Sequence, residues 1–62
     1  MNEQQAKKQW DGMTPEARLA LIRKDPSMRR REWQSLATRW AASKWDDLTN
    51  VTKSATAELL GQ

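Results

Sequence analysis

Sixty-two residues, with four tryptophans and no cysteine, histidine, phenylalanine or tyrosine, make a single domain near the lower limit of independent folding, where roughly 60% of the unfolded surface is buried. The missing Cys and His remove disulfides, thiolate metal sites and the commonest general base, so the core is expected to hold by packing alone, without cofactor or metal. Eleven Lys and Arg against eight Asp and Glu give +3, and residues 26–45 hold five basic groups to one acidic, a balance that suits phosphate, an acidic protein surface or an anionic membrane.

The opening residues, MNEQQAKKQW, lack the apolar stretch of a secretory signal and read as a short helix near 3–10. The longest apolar run, Leu19 to Ile22, is far below the ~20 residues that span a bilayer. The chain is therefore expected to be soluble and cytoplasmic. Thr14-Pro15-Glu16 supplies an N-cap oxygen, a proline whose missing N–H costs nothing at N1, and an early carboxylate, which starts a helix near 15–24. Asp25-Pro26-Ser27 repeats that grammar and opens a helix near 26–44; because a residue before proline is pushed out of the α region, Asp25 ends the preceding helix in a sharp corner. Thr49 caps a last helix, 49–60, with Gly61 as its stop. No alternating strand pattern occurs, so the expected class is all-α, a small bundle of three main helices with a short N-terminal one.

The central helix can be unrolled at about 100° per residue. Trp33, Leu36, Ala37, Trp40 and Ala41 then share one side, and the expected core is Trp33, Trp40, Leu36, Trp45, Leu21, Leu48 and Leu59. Arg29 falls one turn above Trp33, where it is expected to stack on the indole. Trp45 would leave the apolar side if the helix continued, so the helix should end near Ser43 or Lys44 and let Trp45 return to the core. The string Trp10-Asp11-Gly12-Met13-Thr14 aligns with Trp45-Asp46-Asp47-Leu48-Thr49 at an offset of 35, read as one device used twice: tryptophan, acidic turn, apolar residue, threonine cap. Glu32-Trp33-Gln34-Ser35-Leu36-Ala37 is similar to the Trp-x-x-Ile-Ala step of Myb/SANT helical repeats. The likeness covers six residues, and the tryptophan separations of 23, 7 and 5 depart from the regular spacing of those repeats, so it assigns no residue a role.

Arginine suits the C-terminal end of a helix, whose macrodipole makes the N-terminus positive, so Arg29, Arg30 and Arg31 stand at the wrong end of a 26–44 helix. On the polar side Arg30, Arg31, Gln34 and Thr38 form a strip equipped for major-groove contacts, with Lys24, Arg39 and Lys44 available for phosphates. The first expectation is a small regulatory protein that binds DNA through this strip. The alternative is a protein-binding inhibitor or adaptor that grips an acidic surface with the same arginines and an exposed tryptophan, Trp10 being the candidate anchor. Lipid binding would take the apolar face the core needs, and a chain without His, Cys or Tyr, in which no Ser has a visible base, is not expected to be an enzyme. No heptad pattern specifies an oligomer.

Overall fold

Three helix starts follow from local capping chemistry. Asn2 opens α1 (Glu3–Asp11) with a capping box, its Oδ1 accepting the Gln5 amide at 2.8 Å while Gln5 Oε1 accepts the Asn2 amide at 3.1 Å. Thr14 opens α2 (Pro15–Ile22), its hydroxyl accepting the Ala17 N–H at 3.2 Å, and Thr49 opens the last helix, Asn50–Leu60, by accepting the Thr52 N–H at 3.2 Å. The computed structural model describes residues 2–62, and among them the architecture is all-α, four α-helices with no strand, the second and third and the third and fourth joined through 3-10 turns. Gly61 closes the last helix at φ −81°, a right-handed conformation, so glycine's special freedom is not what stops it.

The expected helix over 26–44 is interrupted. Pro26–Arg29 form one 3-10 turn, Arg30 is extended at φ −66° and ψ 143°, Arg31–Trp33 form a second turn, and α3 spans only Gln34–Ala42. Two side chains account for this by giving the backbone local alternatives to a helix. Asp25 Oδ1 accepts both the Ser27 amide at 3.0 Å and its hydroxyl at 2.8 Å. Gln34 Nε2 donates to the carbonyls of Arg29 and Arg30, each at 3.2 Å, which an unbroken helix would pair with the amides four residues on. Met28 is buried in the bend.

α3 packs chiefly on α2, and the residues it buries are Ala37 and Ala41. The core joins these to Ala6, Trp10, Leu21, Ile22, Met28, Trp45, Leu48 and Leu59. Leu21, Trp45, Leu48 and Leu59 are thus where the sequence placed them, and α3 ends at Ala42 with Trp45 turned inward. Trp33 and Leu36 are not: they stand 42% and 46% exposed, and Trp40 is half-buried. Two alanines let the helix axes approach closely, so α3 turns its small stripe to α2 and its bulky flank outward. Trp33, held at φ −103° and ψ 4° ahead of the helix, is outside the register that the unrolled helix assigned it.

One buried cation ties the ends of two helices together. Arg18, only 7% exposed, donates from Nε to the Trp10 carbonyl at 2.9 Å, from Nη1 to those of Ala41 at 3.1 Å and Ser43 at 3.4 Å, and from Nη2 to that of Asp11 at 3.4 Å. These carbonyls lie at the C-terminal ends of α1 and α3, where backbone oxygens lack intrahelical donors and the dipoles are negative. The guanidinium also lies over the Trp10 ring, 5.1 Å from its centroid. Trp10 Nε1 donates to the Ser43 carbonyl at 2.9 Å, and Asp11 Oδ1 accepts the Trp45 amide at 3.0 Å. The repeated string is therefore structural at both sites, with buried tryptophan and capping threonine, although Trp10 lies in the last turn of α1 while Trp45 opens a third 3-10 turn, Trp45–Asp47. The last helix is α4.

Candidate partner-binding surface

The polar strip divides once its side-chain partners are traced. Arg30 is exposed, its Nη1 lying 3.9 Å from Glu32 Oε1, and Arg31 is exposed without an ion-pair partner among the described residues. Gln34 is committed to the fold: besides holding the Arg29 and Arg30 carbonyls, it accepts a bond from Arg23 Nη2 at 3.1 Å. Thr38 donates its hydroxyl to the Gln34 carbonyl at 2.9 Å. Gln34, Ser35, Thr38, Arg39 and Ala42 line one shallow depression, with Arg39 exposed on it. Lys24 belongs elsewhere, in a hollow shared with Trp40, Ala55 and Glu58, and Lys44 is an exposed residue between α3 and the third 3-10 turn.

Two placements are corrected. Trp10 is no exposed anchor; it is 0% exposed, because its ring carries Arg18 and its N–H needs the Ser43 carbonyl. Arg29 makes no stack on Trp33. Its Nε donates to the carbonyl of Arg23, the C-cap of α2, at 2.7 Å, so it stands at a helix C-terminus, the favourable end for a cation.

The exposed large apolar residues among those described are Trp33, ahead of α3, Leu36 on α3, and Val51 of α4, which is 81% exposed. Between α3 and α4 lies a hollow of about 150 Å³ lined by Met28, Leu36, Trp40, Val51, Thr52 and Ala55. Trp40 Nε1 donates to Thr56 Oγ1 at 3.0 Å, and the Thr52 hydroxyl pairs with that of Thr49 at 2.9 Å. Met28, one of the lining residues, is followed in sequence by Arg29, Arg30 and Arg31. A clue to this surface lay in the sequence: Ala37 and Ala41, at helical spacing, are the natural close-packing stripe, and their burial leaves Leu36 on the flank.

Among the described residues no helix is long and apolar enough to cross a membrane. No protein-family model, curated protein or solved structure matches the chain.

Proposed function

We propose that this chain is a small protein-binding module that docks an acidic partner through Arg30, Arg31, Trp33 and Leu36. The observation that carries the reading is the exposure of Trp33 and Leu36, 42% and 46%, close in the chain to Arg31, which is exposed and has no ion-pair partner among the described residues. Tryptophan and arginine are the residues most enriched at binding hot spots, and an apolar patch with a charged edge is the usual anatomy of a transient interface. The DNA reading draws on Arg30, Arg31 and Arg39 as well, but has less support: Gln34 and Thr38, its base-reading groups, spend their hydrogen bonds inside the fold, and α3 has nine residues. An apolar flank also has little to gain from a phosphate backbone.

The test compares capture from nuclease-treated lysate by the wild-type protein, Leu36→Ala and Arg31→Ala. A partner retained by the wild type and lost by both variants supports the reading. Capture that neither substitution changes overturns it. Titration with duplex and single-stranded oligonucleotides is the counter-test: tight binding that falls by orders of magnitude as salt is raised returns the function to nucleic acid.

A further inference from the structure

We infer that the peptide bond between Arg30 and Arg31 is a processing site: an endopeptidase with an acidic specificity pocket opens the folded chain there first, and the cut ends the fold. The inference goes beyond the docking reading and does not depend on it. An endopeptidase takes its substrate as an extended strand whose side chains enter pockets, and a carboxylate in the pocket selects arginine or lysine. The chain has eleven such residues, and the fold presents one pair of them.

Residues 29–33 are the longest unbroken run of exposed residues among those described, and none of them lies in an α-helix. Arg30, at φ −66° and ψ 143°, is already extended. The backbone of the run is pinned lightly: the Arg30 amide reaches the Ser27 carbonyl only at 3.4 Å, and the Trp33 amide donates to the Arg30 carbonyl at 3.0 Å. Gln34 is the lock, its Nε2 donating to the carbonyls of Arg29 and Arg30 at 3.2 Å each. No residue of the run belongs to the core, so it opens without global unfolding. The other basic residues are worse placed. Lys7, Lys8, Arg18, Arg39 and Lys53 lie inside α-helices. Lys44 is extended at φ −76° and ψ 158°, but Trp45, across its peptide bond, is 2% exposed. Arg23 is right-handed at the end of α2, with its carbonyl held by Arg29 Nε at 2.7 Å, and Lys24 is followed by Asp25 and Pro26. Arg29 is tied down by that same bond, and Arg31 is followed by Glu32, whose carboxylate would face an acidic site.

In the cut, water adds across the amide: the C–N bond breaks, Arg30 gains a carboxylate and Arg31 an amine. One half then holds α1 and α2, the other α3 and α4, and they share a single core. Trp10 donates to the Ser43 carbonyl and Arg18 to that of Ala41 across the divide. An intramolecular fold thus becomes a two-chain complex whose helicity depends on concentration. Cleavage is an off-switch that acts on the folded protein.

The experiment digests the folded protein with a trace of trypsin and identifies the earliest fragments by mass spectrometry. Residues 1–30 and 31–62 are expected first, and the cut protein should lose its far-ultraviolet helical signal on dilution while the intact protein keeps it. Gln34→Ala removes the lock and should speed this cut at least about fivefold, without speeding cuts inside α1 or α3. Arg31→Pro keeps Arg30 extended, puts proline at the first position of a 3-10 turn and blocks the bond; digestion of the whole protein should slow at least about tenfold. A first cut at any other residue overturns the proposal. So does Gln34→Ala that is cut at the wild-type rate or faster at every basic residue alike, Arg31→Pro digested as fast as the wild type, or a cut protein whose helicity survives dilution.

Discussion

Arg18 is a buried charge whose partners are all uncharged. Each of its bonds ends on a backbone carbonyl at the C-terminal end of a helix, so the cation is compensated by aligned peptide dipoles instead of a carboxylate. Lysine cannot reproduce the planar fork that reaches four carbonyls, and Arg18→Lys is expected to cost about 2 kcal/mol in urea unfolding. Arg18→Met strands the carbonyls of Ala41 and Asp11, while that of Trp10 keeps the Met13 amide and that of Ser43 the Trp10 indole, and should remove about 2–6 kcal/mol from a domain whose whole stability is about 3–9 kcal/mol, measurable by circular dichroism. Thr56→Val is a milder probe. It removes the acceptor of the Trp40 indole and should lower stability by about 1 kcal/mol. None of these partnerships was legible in the sequence. Burial of Trp10 depends on a carbonyl 33 residues away at Ser43, and a polar segment before it with Asp11-Gly12 after it reads locally as exposure.

At the scale of the element, capping was legible because its chemistry spans three residues. Thr14 and Thr49 needed only their own hydroxyls and the amides just ahead, and Thr49→Ala should cost about 1 kcal/mol in thermal or urea unfolding. The orientation of α3 was not legible, since it depends on what α2 offers and on whether the helix is continuous through Arg30. A paired substitution separates the expected face from the observed one. Ala37→Leu forces bulk into the α2–α3 contact and should destabilise by about 1–3 kcal/mol, whereas Leu36→Ala should change stability by under about 1 kcal/mol. The reverse order would restore Leu36 to the core. The same break answers the electrostatic puzzle of the arginine run in part: Arg29 serves the C-terminus of α2, and only Arg30 and Arg31 remain at positions that no helix end favours.

For the molecule as a whole, one core unites residues from all four helices and from the turns between them, so no part has a core of its own. Far-ultraviolet circular dichroism and tryptophan fluorescence should therefore report a single coincident unfolding transition. The surface adds little to that stability. The Lys7–Asp46 pair spans 3.1 Å between groups 47% and 72% exposed, and its removal by Lys7→Ala should be nearly silent in the same melt. Exposed charge on this protein thus adds little to folding, in contrast to the buried Arg18, so Arg30 and Arg31 can be mutated to test the proposed binding without disturbing the fold. The joint at Arg18 also sets an order of events during synthesis. Trp10 emerges from the ribosome early, but the carbonyls and amide that complete its surroundings belong to residues 41–45. At about 5–20 residues per second, the first half of the chain waits roughly two to seven seconds with its largest side chain uncovered. A nascent chain is thus most in need of shelter while it is shortest, and a fragment ending before Ser43 should remain open to protease however long it is left to fold.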